Sequence, residues 1–155
     1  MAKLNIQTGA ENPCLRQKAK TIEQIDKNIK KLAKDMVEVM DEQNGAGLAA
    51  PQVGQSLRMI VVGLFRGPRK FRDLALVNPR IISSSTEVCV EEEGCLSLPG
   101  VFAPVARCRQ VVVGYQNLRG KEMIAEFSDI NARVVQHEID HLDGILFIDL
   151  IKDAA

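Results

Sequence analysis

Only two histidines occur among the 155 residues, and little else in the composition is extreme. Neither sign of charge is in excess: lysine plus arginine and aspartate plus glutamate stand at 20 each. That balance argues against nucleic acid or an anionic membrane as a partner. Long hydrophobic runs are missing too. Stretches such as residues 59–62 (MIVV) are far short of the ~20 apolar residues that span a bilayer. The N-terminal residues, Met1 to Asn5, lack the apolar stretch of a signal peptide, so a cytoplasmic location is expected. No repeat, low-complexity tract or linker breaks the chain. Its length and its 46% hydrophobic content fit one compact domain over residues 1–155. Without an export signal, Cys14, Cys89, Cys95 and Cys108 are expected as reduced thiols, one of them available as a soft metal ligand.

Both histidines fall in one five-residue run, His137-Glu138-Ile139-Asp140-His141. On a helix, residues four apart share a face, so both imidazoles can reach one metal ion. Glu138 lies between them, where its carboxylate can meet a water on that ion. Catalytic sites of this type use three protein ligands and leave a position for water. With no histidine left, the third ligand must be a cysteine, aspartate or glutamate. Cys95 is the best placed, in Glu93-Gly94-Cys95-Leu96-Ser97-Leu98-Pro99. Gly94 allows close backbone approach. Pro99-Gly100 is expected to end the strand and leave Cys95 near its tip. Cys14, Cys89 and Cys108 read as small buried hydrophobes.

The periodicity predicts a helix over residues 21–44, with Ile22, Ile25, Ile29, Leu32, Met36, Val39 and Met40 as its buried stripe. Thr21 and Gln24 suggest a capping box, and Gly45 a stop. Residues 57–65, 74–82, 87–98, 109–116 and 122–127 read as strands, with turns or bends at Gly67-Pro68, Asn78-Pro79 and Arg119-Gly120. A second helix is predicted over residues 129–143, capped by Ser128 or Asp129 and ended by Gly144. Its apolar residues lie on more than one face, so it should be buried against or between sheets. Residues 145–151 read as a final short strand. The fold class is therefore α+β: mostly antiparallel sheets packed around a central metal-binding helix, with a leading N-terminal helix.

A third segment, residues 45–54 (GAGLAAPQVG), is dense in small residues that let a ligand's backbone approach. Gln52 offers an amide that can donate to a developing oxyanion. By itself the segment is equally an ordinary helix-to-strand connection.

Residues 45–52, 93–99 and 136–144 occur in the order and spacing of the peptide deformylases, whose patterns are G-x-G-L-A-A-x-Q, E-G-C-L-S and Q-H-E-x-D-H. The sequence resembles that family from about Asn12 to about Asp149. The resemblance implies Cys95, His137 and His141 as metal ligands and Glu138 as general base and acid. It implies Gln52 and the Leu96 backbone N–H as oxyanion donors, and Gly47 and Gly94 as positions whose backbone aligns the substrate. The implied reaction removes formate from the formyl-methionine of new polypeptides. A pocket beside the metal helix, lined by Ile130 and Val134, would take the methionine side chain. The implied natural metal is Fe2+. One thiolate and two imidazoles also suit Zn2+, Ni2+ and Co2+.

Two departures matter. Family members often continue into a C-terminal helix tied to ribosome docking, whereas this chain stops at Ala155, which puts direct docking in doubt. Gly100-Val101-Phe102 lacks an arginine that some bacterial members carry near the substrate. N-formylated nascent peptides are the expected partners, with neither nucleic acid nor membrane. Glu93 and Arg107 read either as an ion pair supporting the Cys95 strand or as surface residues. Asp140 reads as an arginine's buttress or as solvated. The other readings of H-E-x-x-H are a metallopeptidase, which usually takes histidine or carboxylate as third ligand, and a structural site, which needs four ligands.

Overall fold

The computed structural model describes residues 4–151. A single helical turn α1 (Pro13–Arg16) and helix α2 (Lys27–Glu42) precede strand β1 (Gly47–Ala49) and a 3-10 turn (Ala50–Val53). Then come β2 (Met59–Arg66), β3 (Arg69–Ser84), β4 (Val88–Cys95), β5 (Leu98–Cys108), β6 (Gln110–Gln116) and β7 (Glu122–Ser128). Helix α3 (Asp129–Leu142) follows, and a second 3-10 turn (Phe147–Leu150). The strands pair antiparallel throughout. Five of them form one sheet in the order β1-β2-β3-β6-β7, while β4 and β5 form a separate two-stranded hairpin. This is the α+β arrangement expected.

Strand β2 shows where the layers lie. Successive strand residues point to opposite faces. Ile60 and Val62 pack with Val113, Val135, Ile139 and Leu142, on the α3 side. Met59 and Val61 pack with Ala33, Met36 and Met40, on the α2 side. The large sheet is therefore sandwiched between the two helices, and the apolar run MIVV is a strand buried on both faces. Residues 132–139 of α3 are buried without interruption, as expected for a helix enclosed by sheets. A third cluster, Leu15, Leu98, Val105, Leu146 and Phe147, lies under the hairpin. No helix among the described residues is long and apolar enough to cross a membrane.

Several local expectations need correction. Helix α2 starts at Lys27, not residue 21, because Asp26 caps it by accepting from the Ile29 N–H at 3.0 Å. Ile22 and Ile25 do pack on the α2 cluster, but Ile22 lies outside the helix, its N–H and C=O both bonded by the Asn78 side chain. At the other end Asn44, not Gly45, takes the left-handed conformation, at φ 55°. Asn78-Pro79, read as a turn or bend, is an irregularity inside β3. The predicted strand 87–98 is two strands joined at Leu96-Ser97, and Pro99-Gly100 lies inside β5. The predicted strand 145–151 is a 3-10 turn, because the Asp149 carboxylate accepts the Leu146 N–H at 2.9 Å and pairs with Arg16. Helix α1, strand β1 and the turn Ala50–Val53 had no counterpart in the expectations.

Candidate active site

Helix α3 carries His137 and His141 one turn apart on a single face, with ring centroids 5.1 Å apart and both rings buried. Cys95, the last residue of β4, meets them from the hairpin. Its Sγ lies 3.4 Å from His141 Nε2, and one donor atom from each of the three residues lies within 4.8 Å of the others. Among the described residues the group comprises these three, whereas a closed structural site takes four ligands.

The surroundings orient these three side chains. His137 Nδ1 lies 2.9 Å from Glu93 Oε1. Donating there leaves Nε2 with its lone pair towards Cys95 and His141. Glu93 also receives Arg107 through two bonds, Nε at 2.9 Å and Nη2 at 3.0 Å, and Arg133 Nη1. Arg107 in turn holds Asp140 at 2.6 Å. Of the two readings left open for Glu93 and Arg107, the buried supporting pair is the one present, and Asp140 buttresses the arginine.

Burial and close charges shift the ionisation of each of these groups. Burial opposes ionisation of Glu93, but bonds from His137 and Arg107 hold its carboxyl at about 2. Burial also opposes charging of His137, yet Glu138, Cys95 and Glu93 raise it to about 10. Burial lifts Glu138 to about 7 and pushes His141 well below its ordinary value. Glu138 Oε1 and His141 Nδ1 are buried without a hydrogen-bond partner. Such orphaned atoms are rare in native interiors and call for an ion, water or ligand. A thiolate, two imidazoles and a carboxylate poised beside them fit a divalent metal.

The remaining residues line one cleft of about 540 Å³ that includes Gly45, Gly47, Gln52, Gly94, Cys95, Leu96, Ile130, Val134, His137 and Glu138. All the site residues expected from sequence except His141 line it, and His141 contacts Cys95 Sγ. A larger cavity of about 850 Å³ beside β3, β6 and β7 contains none of the three ligands nor Glu138. Gln52 is fixed at both ends of its amide: Oε1 accepts the Ala49 N–H at 2.9 Å, and Nε2 donates to Ser97 Oγ at 3.1 Å and reaches Cys95 Sγ at 3.5 Å. Gly47 leaves room for the facing α3 side chains, since a Cβ there would lie 2.8 Å from Glu138 Cγ and Oε2 and from Val134 Cγ1. Gly94 sits at the irregularity of β4 under the ring of Phe102, which a Cβ would meet at 2.5 Å. Ile130 is exposed at the rim and Val134 buried. Cys14, Cys89 and Cys108 are free and half-buried, less enclosed than expected.

Sequence reasoning missed Ser97, Phe102 and Arg133. Arg133 had a usable signal: four residues before His137 on α3, it shares the histidine face. Ser97 stood in the E-G-C-L-S pattern without a role assigned to it, and the place of Phe102 depends on the hairpin's fold.

A soft-ligand metal group beside a buried carboxylate, at the base of a cleft with an edge strand on its wall, is the equipment of a metal-dependent hydrolase. The sequence model of the family described as polypeptide deformylase matches residues 4–155. The peptide deformylase of Pseudothermotoga lettingae is 49% identical over 143 residues, 92% of this chain and 80% of that protein. Among solved structures, a class I type b peptide deformylase from Acinetobacter baumannii bound to Met-Ala-Ser superposes with a TM-score of 0.91 at 37% identity, covering 97% of this chain and 99% of that one. The Thermotoga maritima peptide deformylase does so with a TM-score of 0.90 at 41% identity, covering 98% and 99%. The chain belongs to the peptide deformylase family, enzymes that remove the formyl group from newly made peptides.

Proposed function

We propose that this chain, acting as one catalytic domain in the cytoplasm, hydrolyses the formyl group from the formyl-methionine of nascent polypeptides, with Cys95, His137 and His141 holding the metal. The observation that carries the reading is the convergence of those three residues beside the unpartnered Glu138 carboxylate at the base of the cleft. A divalent ion, which Cys95, His137 and His141 would hold, would supply Lewis acidity to the hydrolysis. Glu138 accepts the water's proton and delivers it to the amine as the carbon–nitrogen bond breaks, so that formate and a free N-terminus leave. Negative charge grows on the formyl oxygen in the transition state. Gln52 Nε2, already oriented by the Ala49 N–H, and the Leu96 N–H donate to it. The cleft wall at Ile130 and Val134 receives the methionine side chain. The peptide lies extended between the Gly47 edge strand and Gly94, by main-chain pairing. Met-Ala-Ser, bound by the Acinetobacter baumannii relative, is the kind of N-terminus such a reaction leaves.

Fe2+ is the proposed natural metal, with Zn2+, Ni2+ and Co2+ as substitutes. Nascent formylated chains are the partners, met in transient proximity to the ribosome. Formate release from formyl-Met peptides tests it, with acetyl-Met peptides as the control. The acyl site must reject one extra methyl, which costs ~1–3 kcal/mol or more in a rigid site. Formyl substrates should therefore react at least about tenfold faster. Comparable kcat/KM for both would overturn the reading. Apo-protein loaded anaerobically with each ion should be active with iron and lose that activity in air, while nickel should be air-stable and zinc slower. Equal, air-stable activity with iron and zinc would rule out iron as the natural choice while leaving the ligand set standing.

A further inference from the structure

The three proposed ligands belong to two bodies. Helix α3 brings the histidines, and the β4–β5 hairpin, which shares no ladder with the large sheet, brings Cys95. Their separation is therefore set by side-chain contacts across the gap. Arg133 is buried there, on α3. Its Nη1 donates to Glu93 Oε2 at 2.5 Å and to the Val105 carbonyl at 2.9 Å, and its Nη2 donates to the Cys89 carbonyl at 2.6 Å. A more exposed Glu91 carboxylate approaches Nε at 3.8 Å. One guanidinium thus grips both strands of the hairpin and the carboxylate that orients His137.

We propose that Arg133 is a positioning residue for the metal centre: it locks the hairpin bearing Cys95 to the helix bearing the histidines and holds Glu93 in line with His137 Nδ1. Arg107 cannot replace it. Arg107 rises from β5 itself, so its bonds to Glu93 stay within the hairpin, and its tie to α3 is the single contact with Asp140. Gln136 ties α3 only to Cys108, at the hairpin's open end away from Cys95. A planar, five-donor group suits the place, because three acceptors in different directions must be met from one buried charge. This inference rests on the Cys-His-His metal centre proposed above.

The test loads the full chain with Co2+ and records its visible absorption, the rate of metal release to excess chelator, and Tm, for the native protein, Arg133→Met, Arg133→Lys and Arg58→Met. Arg58 is the structural control: it ties the C-terminal end of α3, to Asp143 at 3.0 Å and the Leu142 carbonyl at 2.9 Å, and touches neither Glu93 nor the hairpin. Arg133→Met should release metal about ten- to a hundredfold faster, the range for lost outer-shell support, with a shifted cobalt spectrum. Arg133→Lys, keeping the charge but not the fork, should fall between. Arg58→Met should lower Tm and leave spectrum and release unchanged. Native spectrum and release in the Arg133 variants overturn the proposal, as does an equal shift in Arg58→Met. If Arg133→Met fails to fold, Arg133→Lys decides alone by the same criterion. A native protein that takes up no Co2+ overturns the metal centre itself, which is a distinct result.

Discussion

Helix α3 and the β4–β5 hairpin each contribute half of the site, and they are held by different means. The helix is enclosed by apolar side chains, and its backbone ladder sets the spacing of His137 and His141 before any tertiary contact is made. The hairpin is a two-stranded ribbon with apolar residues facing solvent, Val90 61% and Phe102 64% exposed among them. Isolated two-stranded hairpins are marginal in water. This one is anchored by the Leu98, Val105, Leu146 and Phe147 cluster and by buried ion pairs at Glu93, Arg107 and Arg133. A buried ion pair adds little net stability against a hydrophobic alternative, but losing one partner strands the other. The helix half is thus rigid by construction, and the hairpin half is placed by a few directional bonds.

The largest expected effects come from breaking one half at a time. Cys95→Ala removes the hairpin's ligand and should leave purified protein nearly free of metal. Glu138→Ala leaves all three ligands and should keep full metal while turnover falls by about 10²–10⁴-fold. Metal analysis beside formate release separates them, and full occupancy in Cys95→Ala would remove the hairpin from the site.

The two cleft glycines sharpen the contrast at smaller scale. Gly47→Ala would press a Cβ to 2.8 Å from Glu138 and Val134 on the enclosed helix, which cannot give way. A displacement of about 1 Å there is expected to lower kcat by roughly 10²-fold with the fold retained. Gly94→Ala clashes nominally harder, at 2.5 Å, but against the exposed Phe102 ring, which can swing aside. Its loss should be several-fold at most. Equal losses in kcat/KM would show that the hairpin is as stiff as the helix.

The smallest effect concerns the hairpin's underside. Arg16, and then the Leu146 N–H, hold the Asp149 carboxyl below its ordinary value. A depressed carboxylate adds stability above its unfolded pKa, and that stability is lost as pH falls through the folded value. The pair is largely solvated, so Asp149→Asn should cost no more than about 1 kcal/mol at neutral pH, a Tm drop of roughly 2–4 °C. The gap to the native protein should close as pH drops below about 4, the ordinary aspartate range. A gap that persists in acid would mean that packing, not charge, holds this turn.

The helix half was legible because its evidence is local. Both histidines, Glu138 and the apolar surround of α3 follow one 3.6-residue period, and the predicted limits 129–143 fall within a residue of Asp129–Leu142. The hairpin half was legible only in part: Cys95 could be named as the candidate third ligand, but the chain reversal beside it could not. Leu96-Ser97 carries none of the Asn-Gly or Gly-containing signals of a tight turn, and Pro99-Gly100, a breaker by composition, sits where β5 tolerates it. The start of α2 was misread for a related reason. Ile22 and Ile25 continue the buried stripe, yet Asn78, 56 residues away, takes the Ile22 backbone bonds that a helix would need.

The amino-acid sequence by itself determined the histidine pair with its glutamate, the small-residue segment before Gln52, and the three motifs that resemble the deformylases, since each is read within a few consecutive residues. Only the tertiary structure decided that Cys95 meets those histidines, that Glu93 turns His137 towards it, that Ser97 receives the Gln52 amide, and that Arg133 spans the two halves. Those contacts join residues 40 to 46 positions apart. Periodicity along the chain carries no information about such pairs, because their geometry exists only once the hairpin has docked on the helix.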